Sequence, residues 1–204
     1  MASTFVNDLR LNEMATGDQS GSWGTVTNTN LELIGEAFGF GTEAITTNAN
    51  THTTTIADGG TDPGRSMFLK YTGALDSACT ITIGPNTVSK MWFIENATTG
   101  SQNIIISQGS GANVTIAAGK TKAVYSDGAG SGAAFVDTFN SLSVGTLTGT
   151  TGTFSGAVSL GGIAYPTSDG SSGQALVTNG SGTVSFGSAG ISTGKAIAMA
   201  IVFG

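Results

Sequence analysis

Residues able to do chemistry are few in this chain of 204 residues. Its one histidine, His52, sits among hydroxyls in Asn50-Thr51-His52-Thr53. Neither a second His nor a Cys lies at metal-ligand spacing from it, so the pattern indicates neither a zinc set nor a paired general base. Gly190-Ile191-Ser192-Thr193-Gly194 matches G-x-S-x-G, but that motif needs a histidine later in the chain and none follows. Gly119-Lys120-Thr121 ends like a phosphate-binding loop. Val114 stands where the first glycine belongs, and a strand rather than a helix is expected next, so a β-turn is the reading. Asp58 and Asp62 offer oxygens for a hard cation, without the spacing or the closing Glu of a calcium loop. Cys79 is the only cysteine, which excludes an internal disulfide and reads as a small buried hydrophobe in the strand Ala78-Cys79-Thr80-Ile81. For cleavage of a glycan, the candidate carboxylates are Asp58, Asp62, Asp76 and Glu95. Their spacing would be set in three dimensions, and aromatic residues for sugar stacking are sparse. The expectation is a chain with no catalytic, metal or cofactor site.

Composition turns attention to assembly instead. Charged residues make up 10% of the chain, far below the ~25% usual in soluble domains. From Thr138 to Gly204 the only charged side chains are Asp169 and Lys195. The rest of that stretch is Gly, Ser, Thr and isolated aliphatics, including a repeat in which Gly145-Thr146-Leu147-Thr148-Gly149 is followed by Gly152-Thr153-Phe154-Ser155-Gly156. Ordering each residue costs roughly 1–2 kcal/mol in backbone entropy, and one buried apolar side chain returns about 1.5–3 kcal/mol. Such units therefore need neighbouring chains to stack against. The net charge is −6 and the seven basic residues are scattered, which argues against a nucleic-acid groove. The N-terminus lacks the basic start and apolar core of a secretory signal. The longest apolar run, Ala196 to Phe203, is under half of what a bilayer crossing needs, so the chain is expected to be soluble when made.

The elements follow from periodicity. Residues 1–64 read as a mixed segment with a strand in Thr4–Leu11 and one short helix, Asn28 to Phe38. Leu31, Ile34 and Phe38 fall on one face of that helix, with Asn28 or Asn30 as N-cap and Gly39 as the stop. From residue 65 to 138, strands recur with turn chemistry between them: Ser66–Tyr71, Cys79–Ile83, Ser89–Glu95, Asn103–Ser107, Asn113–Ile116, Thr121–Ser126 and Ala133–Asp137. That spacing predicts a mainly β fold, an antiparallel β-sandwich or small barrel. The predicted core comprises Met67, Leu69, Ile81, Ile83, Trp92, Ile94, Ile105, Val114, Ile116, Val124 and Phe135. Residues 139–164 form the Gly/Thr-rich shaft-like repeat. Residues 165–204 form a C-terminal tip, with a hairpin around Asn179-Gly180-Ser181-Gly182 and a final strand, Ala196–Phe203, buried on both sides.

Several stretches carry a resemblance. Leu9 through Ile34, which includes Gly21-Ser22-Trp23-Gly24, resembles the opening of tail-fibre and related virion proteins of tailed bacteriophages, especially marine and cyanobacterial ones. Tyr125-Ser126-Asp127-Gly128, Thr167-Ser168-Asp169-Gly170 through Gly182, and Gly194-Lys195-Ala196-Ile197-Ala198-Met199-Ala200 are similar to recurrent tail modules. The resemblance implies a non-enzymatic virion protein, commonly a homotrimer. Its N-terminal part docks on other virion proteins, and its distal part meets a host-surface glycan or receptor. The scattered basic residues and the short apolar runs add the expectation of neither nucleic-acid binding nor membrane insertion. On this reading Trp23, Leu31, Ile34 and Phe38 are docking residues, and Val144, Leu147, Phe154, Val158, Leu160, Ile197, Met199, Ile201 and Phe203 form the subunit interface. A short tail fibre or tail appendage leads. A capsid decoration or head fibre, and a carbohydrate-binding or -degrading tip, are the alternatives.

Overall fold

A computed structural model describes residues 4–146, 148–154, 156–190 and 193–203. The chain divides into two compact units, Met1–Ser143 and Val144–Gly204.

In the first unit, a small hairpin of β1 (Thr4–Val6) and β2 (Leu11–Glu13) precedes helix α1 (Trp23–Ala37). Then β3 (Phe40–Ala44), β4 (Thr51–Thr55), β5 (Phe68–Thr72), β6 (Cys79–Gly84), β7 (Met91–Asn96) and β8 (Ile104–Ser107) alternate between two sheets. β3, β5 and β7 pair in parallel in one sheet, and β4, β6 and β8 pair in parallel in the other. The chain thus winds as a flattened coil of roughly 25–30 residues per turn, each turn giving one strand to each sheet. After the third turn the direction reverses. β9 (Val114–Ile116) runs antiparallel to β8, β10 (Thr121–Ser126) antiparallel to β7, and β11 (Phe135–Asp137) antiparallel to β10. The result is an open five-stranded sheet, β11-β10-β7-β5-β3, and an open four-stranded sheet, β4-β6-β8-β9, with no closed barrel.

The mainly β expectation holds, and the antiparallel arrangement is corrected for the central strands. Alternation of apolar and polar residues looks the same in parallel and antiparallel strands. A parallel neighbour here is reached by crossing to the other sheet and back, which local spacing does not reveal. The boundary drawn at residue 64 falls inside a 3-10 turn, Pro63–Arg65, and β3 and β4 belong to the same two sheets as the strands that follow.

The core lies between the sheets, in rows set by register. Leu69 sits beside Ile94, Ile81 beside Ile106 and then Val114, and Cys79 beside Ile104 and then Ile116, all buried. Trp92, Val124 and Phe135 belong to it, as expected, and so do Ile45, Ile56, Tyr71, Leu75 and Val88, which were not expected. Two expected core residues are corrected: Met67 and Ile105 are only half-buried. Ile104-Ile105-Ile106 carries no alternation of its own, so its parity comes from pairing with β6, which turns Ile104 and Ile106 inward. The first turn ends the core with polar groups. His52 Nε2 and Glu43 Oε1 lie 2.8 Å apart, Thr54 Oγ1 donates to Glu43 Oε2 at 2.8 Å, and Thr54 Oγ1 lies 2.7 Å from the buried Tyr71 hydroxyl. Burial pushes the Tyr71 phenol far above its ordinary value. At the coil's corners, glycine is required because successive turns touch through backbone. Gly73 has φ +120°, and a Cβ there would lie 2.5 Å from the Ile45 carbonyl oxygen of the preceding turn.

The helix is longer than expected and turned differently. It begins at Trp23 after Ser22, so Asn28 and Asn30 lie inside it and are not caps. The Asn30 side chain instead bonds the backbone N–H and carbonyl of Asn12, tying α1 to β2. Leu33 and Ala37 are its buried residues, while Leu31, Ile34 and Phe38 are exposed.

The described residues of the second unit form two hairpins and a helix. β12 (Ser159–Leu160) and β13 (Ile163–Ala164) are joined by Gly161-Gly162, both at positive φ, as a two-residue hairpin turn demands. β14 (Gln174–Thr178) and β15 (Val184–Ser188) form the hairpin expected around Asn179. The Asn179 carboxamide oxygen accepts from the N–H groups of Ser181 and Thr183 within the loop. The final segment corrects the expected strand: it is helix α2 (Thr193–Phe203). Alternating Ala with Met and Ile satisfies a strand pattern, yet Ala and Met are strong helix formers. The helix satisfies its backbone internally and needs no partner strand. Its described side chains, Ile197 to Phe203, are exposed rather than buried on two sides.

Candidate functional site

Surfaces rather than a cleft carry the candidate site. Among the residues from 144 to 203 whose side chains are described, not one is buried. Val144, Phe154, Leu160, Ile197, Met199, Ile201 and Phe203 are exposed and Val158 is half-exposed, while Leu147 lies outside the described residues. A helix that is apolar all round belongs in an interior, yet Ile201 of α2 is 78% exposed within one chain. A unit of about 60 residues is marginal even when it buries most of its apolar surface. In this one, taken alone, the described side chains form no interior.

The first unit carries a second apolar surface on α1. Trp23, Leu31, Ile34 and Phe38 are all exposed and, at ~100° per residue, fall within an arc of about 80°. This stripe stands beside the buried one formed by Leu33 and Ala37. The four docking candidates therefore share one solvent-facing stripe.

An ion cluster holds this helix to the coil. Arg65, fully buried, donates from Nη2 to the carbonyls of Ala57 and Gly60 at 2.7 Å each and to Asp62 Oδ2 at 2.9 Å. Asp62 Oδ1 also caps the 3-10 turn by accepting from the Arg65 N–H at 2.7 Å. Glu36 of α1 accepts from the Asp62 N–H at 3.1 Å and approaches Arg65 Nε at 3.5 Å. Burial, and then the neighbouring Asp62 charge, push the Glu36 carboxyl above its ordinary value. Lys90 donates to the Arg65 carbonyl and sits 4.8 Å from the Trp92 ring centroid, and Trp92 Nε1 donates to the Gly64 carbonyl at 2.8 Å. Sequence reasoning missed this cluster. Its one signal was Asp62-Pro63, a capping residue before a proline at the start of a turn.

Burial lowers the Lys90 ammonium from 10.5 to about 8. Between those values the folded protein has released the proton while the unfolded chain still holds it, so stability rises as pH climbs from about 8 to 10.5. We expect the thermal midpoint of Lys90→Met to lack that rise when both proteins are measured across the window. Equal slopes would show that Lys90 keeps an ordinary affinity for its proton.

The four candidate carboxylates are engaged separately. Asp58 pairs with Arg10 at 2.6 Å, Asp62 with Arg65, and Glu95 with Lys70 at 3.6 Å, while Asp76 accepts from the Ser77 hydroxyl at 3.2 Å. None of these contacts joins one candidate carboxylate to another. Cys79 is buried, as expected. Among the described residues no group of three His, Cys, Asp or Glu side chains is placed to hold a metal ion, and no helix is long and apolar enough to cross a membrane. A cleft of about 600 Å³ opens at the end of the coil between β9 and β11, with Asn113, Lys122, Tyr125, Asp137 and Asn140 on its walls. The Lys122 ammonium, 2.7 Å from Asp137, holds that carboxyl below its usual range. Comparison of the chain with protein-family models, curated proteins and solved structures finds no match.

Proposed function

We propose that this chain is a structural protein of a phage virion, most simply a short tail fibre or tail appendage, that works as a homotrimer without catalysing a reaction. The observation that carries the reading is the second unit, in which no described side chain is buried although its apolar residues are many. Association supplies the missing interior and removes exposed apolar surface from water. The α1 stripe of Trp23, Leu31, Ile34 and Phe38 docks on neighbouring virion proteins. A capsid decoration or head fibre uses the same two surfaces, and labelling virions with an antibody to the chain separates head from tail. Light scattering on the purified protein tests the association: three times the chain mass is expected, and a folded monomer at micromolar concentration overturns it.

A glycan-binding tip is the second reading, favoured by the cleft between β9 and β11. Tyr125 offers a ring, and Asn113, Lys122, Asp137 and Asn140 offer donors and acceptors. Retention of the protein on immobilised host glycans supports it, and no retention across a panel leaves it without standing.

A further inference from the structure

The outer face of the five-stranded sheet is apolar in an ordered way. Strand pairing sets Phe40 beside Phe68 and Phe68 beside Phe93, one aromatic per turn of the coil. The Phe68 and Phe93 rings stack with centroids 4.8 Å apart and planes 14° from parallel. Beside this row, Met91 pairs with Tyr125 and Tyr125 with Val136, all exposed. Phe40 is 64% exposed and Phe68 46%, which the coil itself does nothing to cover.

We propose that this face is where copies of the chain pack against one another in the first unit, the aromatic rows lying along the symmetry axis. Two observations and one premise select a second copy as the occupant. The exposed apolar area of Phe40, Phe68, Met91, Tyr125 and Val136 is on the order of 400 Å², given about 150–250 Å² for each aromatic side chain. That matches the apolar share, a little over half, of the roughly 800 Å² each partner contributes to a standard interface, and apolar patches of this size are often functional. The flanking row, Thr42, Lys70, Glu95 and Thr121, carries one charge of each sign side by side, with Lys70 Nζ 3.6 Å from Glu95 Oε1. The row is therefore neutral overall: it offers little to a partner of one sign and does not repel a second copy. Finally, the inference rests on the association proposed above. Copies already held together through the second unit meet at high effective concentration, so a face of modest size suffices.

Cysteine cross-linking in the full chain tests this. Phe68→Cys and, independently, Met91→Cys place a thiol on the face, and Thr82→Cys places one on the outer side of the other sheet as the control. The native Cys79 is buried. We expect mild oxidation to link Phe68→Cys copies to each other and the assembled protein to lose maleimide labelling at this position, with neither result for Thr82→Cys. Met91→Cys keeps the test alive if Phe68→Cys does not fold. Assembled protein whose face labels as fast as Thr82→Cys overturns this inference and leaves association through the second unit standing. Protection without a link between copies also overturns it, because something else then covers the face. A monomeric wild-type protein overturns both readings and is recognised by its mass.

Discussion

Arg65→Ala is expected to lower the stability of the first unit by about 3–5 kcal/mol, the cost of breaking a buried ion pair from one side. The guanidinium is fully buried and holds two carbonyls and Asp62 through one nitrogen. Removing it strands the nearly buried Asp62 carboxylate, leaves Ala57 and Gly60 without that donor, and takes away the guanidinium 3.5 Å from Glu36. Arg65→Lys recovers little, because a point charge cannot reach the two carbonyls and both carboxylates at once. Neutralising what is stranded is the informative control. Adding Asp62→Asn and Glu36→Gln to Arg65→Ala should return part of the loss, since the remaining groups are then polar rather than charged. Denaturant midpoints followed by the near-ultraviolet signal of the buried Trp92 measure this. A loss under about 1 kcal/mol would mean that water reaches the cluster and screens it.

Ile201→Asp should dissociate the assembled protein. Within a single chain Ile201 is 78% exposed, and a substitution at such a site in a monomer stays within about 0.5 kcal/mol. Against a sister subunit the same aspartate is a desolvated charge, costing several kcal/mol and shifting the population to monomers or aggregates. The two readings of α2 differ widely on one variant, and sedimentation or light scattering reads the difference. Trimers that persist with unchanged stability would show that α2 lies on an outer surface and would remove the main support for the proposed association. Met199→Asp, from elsewhere on the same helix, separates a helix buried all round from one buried along a single stripe.

The legible parts of this protein were those that local pattern determines. Thr80 and Thr82 alternate with Ile81 and Ile83, so β6 and its inward face could be read directly. Asn179-Gly180-Ser181-Gly182 placed the last hairpin, since turn chemistry is a property of a few adjacent residues. The near-absence of charge after Thr138 marked the segment that makes up the second unit. What escaped was everything decided by residues far apart in the chain. Phe40, Phe68 and Phe93 form one row only because the chain crosses to the other sheet and returns in register. Arg65 is wrapped by its own preceding loop, through Ala57, Gly60 and Asp62, but the Glu36 carboxylate reaches it only because α1 folds back onto that loop. At Ala196–Phe203 alternation suggested a strand, whereas the segment is a helix, in keeping with the propensity of Ala and Met. Sequence determined which side chains shun water and where the backbone can turn, because both are properties of single residues and near neighbours. Tertiary structure alone decided which strands run parallel, which apolar faces stay uncovered and which charges are locked inside, because pairing and burial exist only between segments brought together by folding.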